Sequence, residues 1–442
     1  MLSLSVVQML LIYTSSITSR IKYTFDLFFP DLLGVKYNLT TNKEEFIAYT
    51  GPKINYSDHP FGREFFMYAA RLLFEKGIED QKPAVFDWEG TKAFFGTHPK
   101  YVFPFDPFAA AFYLVSRYEE YLPHIRDEHD RYDTRESLAW QKNFLDKPLV
   151  NIWAIKIKEE LQKRFPELVF AQRKYKYIST IDIDNAYAFL EKGLMRTAGA
   201  YARSLVSMDL EDFAERTKVL LGAAKDPYDT FDYQLELQKN YKFKTIYFIL
   251  LGEYGMNDKN VPADSKKLRS LIKSLADYSE VGIHPSYASN RNKGSFKKEV
   301  SILSKILKRE VTRSRQHFLI LKLPATYRQL IDLDITDDYT MGYALQVGFR
   351  ASICTPFYFY DLDMEQATLL KIHPFAVMDA TLKYYMKVSP ADAISYIKPL
   401  IEEVKAVNGT FISLWHNESL SENRLWAGWK SVYEQMVELA AN

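Results

Sequence analysis

Cysteine is almost missing from this chain. Of 442 residues only Cys354 carries a thiol, in the apolar stretch Ala351-Ser352-Ile353-Cys354-Thr355-Pro356. One thiol excludes an internal disulfide framework and a CxxC metal site. Its setting predicts a small buried core residue. Neither charge sign dominates: 57 Lys and Arg stand against 56 Asp and Glu, a formal net charge of +1. Nothing therefore points to nucleic acid or to an anionic membrane as a partner. Long apolar runs are also scarce. Met1 to Ile12 has little polarity but is broken at Gln8 and ends at Tyr13-Thr14-Ser15-Ser16. That is short of the roughly 20 residues a transmembrane segment needs. No Lys or Arg precedes it and no small-x-small site follows, as a secretory signal requires. We expect a buried opening strand, no transmembrane segment and a cytoplasmic protein, with Met9 as an alternative start. Repeats, low-complexity linkers and the GxxxxGK, GxGxxG, HExxH and GxSxG signatures are all absent.

What is present is material for a folded core. Hydrophobic residues make up 47% and charged residues 26%, a globular profile, and the length suits two or three domains at about 100–200 residues each. Residues 1–172 mix short strands with helices, an α+β pattern. Strands are expected near Ile21–Phe29 and Glu45–Thr50. Phe66, Ala69, Ala70 and Leu73 fall at helical spacing over Arg63–Lys76. Asp106-Pro107 is an N-cap with a first-turn proline and opens a helix over Phe108–Leu122.

From about residue 173 strands alternate with helices. Strands are expected over Lys174–Ile183, Lys244–Leu251, Glu280–Ile283, Arg315–Leu319, Gly348–Ser352, Ile372–Val377 and Thr410–Leu414. Helices are expected over Ser265–Tyr278, Phe296–Arg309, Pro324–Leu333 and from Ser389-Pro390 to Gly409. Serial strand–helix units imply a parallel sheet, open or closed. A helical insertion at about 190–240, rich in Arg and Lys, interrupts the series. On the face where strands end, it would help wall a substrate groove.

Polar residues gather at the ends of these strands, where catalytic groups belong. Alternation puts Asp182 and Asp184 on one face. Two carboxylates so close repel unless a cation or a proton intervenes. A metal would resolve this, with one carboxylate as ligand and one acting on water; D-x-D also suits a helix cap or surface lysine pairs. His284 is an imidazole fit for a borderline metal such as zinc, and equally for a turn before Pro285. His416 follows an apolar strand and suits proton donation near neutral pH. Arg315 could hold a carboxylate by a bidentate pair. His59, His98, His124, His129 and His373 lack such context and read as structural or surface. Tyr287, Tyr339, Trp415 and Trp426 lie near expected loops and are candidates for sugar stacking.

The ordered set resembles the five short motifs of polysaccharide deacetylases of the NodB type. Thr180-Ile181-Asp182-Ile183-Asp184 is similar to their first motif, Lys244–Leu250 to their second barrel strand, and Glu280-Val281-Gly282-Ile283-His284 to the start of the histidine motif. Arg315-Gln316-His317-Phe318 resembles the arginine motif, and Leu414-Trp415-His416 the last motif. The resemblance spans residues 173–442 and implies a distorted (β/α) barrel, preceded by a smaller α+β domain over 1–172. It implies a metal-dependent hydrolase that removes acetyl from an N-acetylated sugar or glycan. Asp182 would be the base, Arg315 its orienter and His416 the general acid. Asp184 and His284 would bind a divalent metal, zinc by the donor set, and a carbohydrate would be the substrate. The family places a second histidine ligand four residues after the first. Here that position is Ala288, which cannot bind metal, and His317 is the substitute beside the site. The family's Asp-x-x-Asp-Trp segment has only a positional counterpart at Asp379. Phe105-Asp106-Pro107-Phe108 and Ser116-Arg117-Tyr118-Glu119-Glu120-Tyr121 resemble an uncharacterised two-domain group from Bacteroidetes. The alternative is a non-catalytic carbohydrate-binding module on the same scaffold, favoured by Ala288. A third reading is metal-assisted hydrolysis of an ester or a phosphorylated glycan lipid.

Overall fold

A computed structural model describes residues 9–442. Of the expected opening strand, residues 1–8 lie outside the described residues, while Leu10–Thr14 forms β1. It pairs in parallel with β2 (Tyr37–Thr40) and β3 (Lys53–Ser57), and β3 pairs in parallel with β4 (Phe65–Tyr68). This first sheet is wholly parallel, in the order β2-β1-β3-β4. The N-terminal segment thus interleaves strand and helix where an α+β arrangement was expected. A hairpin of β5 (Phe86–Trp88) and β6 (Thr91–Ala93) follows.

Three local expectations fail in this segment. Ile21–Phe29 is helical. Thr18 Oγ1 accepts from Ile21 N–H at 3.1 Å, and Ile21, Phe25, Phe28, Phe29 and Leu32 are buried at helical spacing. Glu45–Thr50 is not a strand either, because Asn42 caps a helix over Lys43–Ala48. Arg63–Lys76 instead supplies β4 and a single turn at Arg71–Leu73, since pairing with β3 buries Phe65 and Met67. The Asp106 cap holds: its carboxylate accepts from the amides of Phe108 and Ala109. The helix it opens, Pro107–Val115, stops early because Arg117 turns left-handed at φ 54°.

The second sheet has nine strands. They are β7 (Lys176–Ile183), β8 (Lys244–Leu250), β9 (Glu280–His284), β10 (Arg313–Ser314), β11 (Asp337–Asp338), β12 (Phe357–Asp361), β13 (Gln366–Ile372), β14 (Val377–Met378) and β15 (Thr410–His416). Their order is β12-β13-β11-β10-β9-β8-β7-β15-β14. All pairs are parallel except β12 with β13. β13 and β14 lie on one stretch of chain. Lys371 and Ile372 pair with β11, His373 N–H donates to Asp338 O, and Ala376 N–H donates to Ile412 O before β14 pairs with β15. That stretch therefore links the two flanks of the parallel array.

The expected strand at Gly348–Ser352 is a turn. Gly348 has φ 127°, and a Cβ there would lie 2.5 Å from the Leu145 carbonyl oxygen. Its amide and that of Phe349 bond to Ala376 O and Leu145 O instead. The insertion forms helices Leu194–Val206, Leu210–Leu220 and Phe231–Tyr241, as expected. Cys354 is buried. No described helix is long and apolar enough to cross a membrane.

A buried ion cluster joins the N-terminal segment to the second sheet's surroundings. Glu120 accepts from Arg117 Nε at 2.8 Å and from Arg350 Nε and Nη2 at 2.9 and 2.7 Å. Arg117 Nη2 also reaches Glu119 and Tyr343. Burial opposes the charge on Glu120, but Arg350 and Arg117 outweigh it and bring its pKa down to about 2. A folded-state pKa below the unfolded one adds stability that is complete above about pH 4.5 and is lost as pH falls toward 2. Glu120→Ala leaves two buried guanidinium groups short of a partner and is expected to cost about 3–5 kcal/mol in urea unfolding. The wild-type loss of stability between pH 4.5 and 2 should shrink in Glu120→Gln. An unchanged urea midpoint in Glu120→Ala would show that the cluster contributes no net stability.

Candidate active site

The parallel strands deliver the expected residues to one place. Asp182 is on β7 and Asp184 just beyond it; His284 ends β9, Arg315 follows β10, and His416 ends β15. Arg315–Leu319 is only briefly extended. After Ser314 the chain leaves the sheet and makes a single turn over His317–Leu319, which swings His317 toward β9 and β7.

Asp184, His284 and His317 offer donor atoms that all lie within 4.8 Å of one another. His284 Nε2 is 3.2 Å from Asp184 Oδ1, and His317 Nε2 is 3.3 Å from Asp184 Oδ2. The outer ring nitrogens decide what this means. His284 Nδ1 lies 2.6 Å from the carbonyl oxygen of Arg315. A carbonyl only accepts, so Nδ1 carries the hydrogen and a neutral ring presents a bare lone pair at Nε2. His317 Nδ1 lies 2.9 Å from the Asp258 carboxylate, with the same consequence. Lone pairs of two neutral imidazoles would then face a half-buried carboxylate, whose buried Oδ1 has no hydrogen-bond partner. A proton or a cation must sit among these atoms. The pull toward positive charge is strong. Burial works against it at His317, yet Asp184 and Asp258 raise that ring to about 9. Burial likewise opposes charge on Asp184, but His317, His284 and His416 hold its carboxyl well below the usual range.

The donor set fits a divalent metal. A tetrahedral ion bound at about 2.0–2.1 Å keeps its ligands roughly 3.3 Å apart, near both N···O distances above. Each histidine donates its remote N–H to an oxygen, the arrangement that fixes tautomer and ring orientation at metal centres. His317 thus stands among the candidate ligands. Ala288 has another part: its amide and that of Tyr287 donate to Asp258 at 3.1 and 2.8 Å, holding the carboxylate that orients His317. Asp258 was missed in the sequence because it sits in the irregular loop after β8, with no periodicity to mark it.

The remaining groups flank this centre. Arg315 Nη1 donates to Asp182 Oδ1 at 2.9 Å and its Nε to Tyr339 O, leaving Asp182 Oδ2 on the side of His284, 3.7 Å from Nε2. His416 Nδ1 is 2.8 Å from Asp379 Oδ1, its amide donates to Asp379 Oδ2, and its Nε2 lies 3.7 Å from Asp184 Oδ2. Burial opposes a charge on His416, but Asp379 followed by Asp184 raises it well above the usual imidazole range. The positional match at Asp379 is therefore an orienting carboxylate.

These groups open into a cleft of about 380 Å³ walled by Phe318, Tyr384, Tyr385 and Trp426. Two expected stacking residues are elsewhere. Trp415 is fully buried because alternation on β15 turns it away from His416, onto Trp429 and Tyr433. Tyr339 is also buried, stacked on His373 at 4.3 Å. Tyr287 is half-buried, edge-on to Phe318. Trp426 does line the cleft. The 190–240 insertion contributes none of the cleft-lining residues; it braces Asn417 from behind through Thr230 and Tyr228. Tyr384 and Tyr385 escaped notice because they follow β14 on an irregular helical turn. Arg131 also lines the cleft, and nothing in the N-terminal sequence pattern marked it.

Comparisons with known proteins divide along the chain. Residues 10–166 match a family of unknown function (DUF7033). No curated protein matches the chain. Among solved structures, a Mycobacterium smegmatis protein described as a polysaccharide deacetylase aligns at 13% identity, with TM-score 0.38, over 61% of this chain and 85% of its own. The allantoinase PuuE aligns at 8% identity, with TM-score 0.37, over 60% of this chain and 83% of its own. A CE4 family pseudoenzyme from Bacillus anthracis aligns at 14% identity, with TM-score 0.26, over 59% of this chain and 62% of its own.

Removing the group that orients a metal-bound histidine commonly weakens the site by about 10–100-fold. Asp258→Ala is expected to lower zinc affinity within that range, and His317→Ala by at least as much, in chelator competition. Equal affinity in wild type and both variants would exclude His317 as a ligand.

Proposed function

We propose that the chain is a metal-dependent hydrolase that removes acetyl from an N-acetylated sugar or glycan. The observation that carries this reading is the convergence of three kinds of group on one cleft: a three-donor cation site, a carboxylate held by arginine, and a histidine held by a second carboxylate. The resemblance of the five strand-end motifs to NodB-type deacetylases points the same way. We read the parallel array as a distorted (β/α) barrel, supported by the 366–378 stretch that pairs at both of its flanks. Two separate sheets support a division near residue 172.

Asp184, His284 and His317 would hold the ion. A divalent metal there would act as a Lewis acid on the amide carbonyl and on water. Asp182 is fixed through Oδ1 by Arg315, which leaves Oδ2 to take the proton of the attacking water. Arg315 is fully buried and has its own partner in Tyr339 O, so the base cannot rotate away. His416, kept protonated by Asp379, would deliver a proton to the departing amine. Without that proton the leaving group would be an amide anion. The aromatic wall suits the C–H faces of a sugar ring, while the few polar groups orient the reacting bond.

Ala288 favours a second reading, a carbohydrate-binding module without catalysis. It predicts sugar binding that survives EDTA. The oriented acid and base have no task in that reading.

Zinc-loaded protein should release acetate from N-acetylglucosamine oligomers. Asp182→Asn should lower the rate by about two orders of magnitude or more, as loss of a positioned base does, while zinc stays bound. Undiminished release in Asp182→Asn would refute the base assignment. No release from any acetylated sugar by the loaded wild type would refute the activity.

A further inference from the structure

The third candidate ligand sits on an unlikely support. His284 ends a strand, but His317 opens a single turn in which Phe318 (φ 57°, ψ 11°) and Leu319 (φ 55°) are both left-handed. Two consecutive non-glycine residues there are unfavourable and persist only when the surroundings impose them. A short hairpin of the N-terminal segment, closed by the bridge of Arg126 with Tyr132, supplies that constraint. Arg131 Nη1 donates to the Phe318 carbonyl at 2.9 Å and Nη2 to Tyr385 OH at 3.2 Å. Its Nε is held by Asp127 at 2.7 Å, so the guanidinium is itself anchored. The His129 ring meets the Phe318 ring edge-on at 4.7 Å, and Asp130 pairs with Lys322 just beyond the turn.

We infer that the hairpin 126–132 is a clamp in cis, and that metal affinity at Asp184, His284 and His317 depends on it. This rests on the metal-site reading above and gives a task to the segment that matches the family of unknown function. Arg131 is a positioning residue: it touches the turn, and His317 is one residue from the carbonyl it grips. Histidine on a strand or helix needs no such brace. A ligand moved to a strained turn does, because each imidazole orientation lost to turn relaxation lowers the fraction of protein ready to bind.

The test uses the full-length protein and two readouts, zinc affinity by chelator competition and the visible spectrum of the cobalt(II) form. Arg131→Ala should weaken zinc about tenfold or more, the range for supporting groups at metal centres, and should shift the cobalt spectrum toward higher coordination. Arg131→Lys keeps one donor for the Phe318 carbonyl and should recover part of the loss. In Arg131→Ala/Phe318→Gly, glycine takes the left-handed conformation without a steric cost, so affinity should return toward that of Phe318→Gly alone. If Arg131→Ala does not fold, His129→Ala/Lys322→Ala removes two other grips from outside the core and should weaken zinc measurably. Wild type that binds no zinc overturns the metal site itself. Wild type that binds while the clamp variants keep its affinity and spectrum overturns the clamp alone.

Discussion

Two imidazole Nε2 atoms aimed at one half-buried carboxylate are the constraint around which this molecule is arranged. The contact is repulsive as long as both rings are neutral, because a carbonyl and a carboxylate hold each ring's hydrogen at the remote Nδ1. A positive charge between them turns repulsion into attraction. Everything that fixes the rings is therefore also a device for selecting a cation. The buried Arg315 contributes twice. Its guanidinium pins Asp182 and its backbone carbonyl pins His284.

The parallel sheet makes this possible by bringing the ends of β7, β9, β10, β14 and β15 to one side. β15 lies beside β7 and sets His416 next to Asp182, while His284 at the end of β9 reaches Asp184 across the intervening β8. Asp184, Arg315 and Asp379 each lie one residue past a strand end, and farther out is His317, on a turn after β10. Its support comes from three directions: Asp258 from the loop after β8, the amides of Tyr287 and Ala288, and the hairpin around Arg131. The N-terminal segment and the second sheet are joined again, in the core, by the Arg117–Glu120–Arg350 cluster.

Much of this was legible in the sequence where one strand decides one side chain. Alternation gave Asp182 and Asp184 a common face, and the strand ends located His284 and His416. The helix over Ser265–Tyr278 was legible from its spacing, and the start of the helix after Asp106 from its cap. Legibility ended where tertiary contacts overrule local pattern. Ile21–Phe29 has strand composition but a capped helix buries it better, and Arg63–Lys76 has helical spacing but an open sheet edge claims it. Trp415 looked like a loop aromatic because the last strand was placed two residues short, and the longer β15 turns it into the core; Tyr339 did so because the two-residue β11 before it went unrecognised. Asp258, Tyr385 and Arg131 act through irregular segments, and their partners lie from 59 to 254 positions away in the chain, beyond the reach of any periodicity.

The most direct test of the central claim is anomalous diffraction at the zinc edge from crystals of zinc-loaded protein. The account predicts one strong peak about 2.0–2.1 Å from Nε2 of His284 and of His317, with an oxygen of Asp184 at similar distance. A peak that leaves His317 uncoordinated, or no peak in this cleft at saturating zinc, would contradict it.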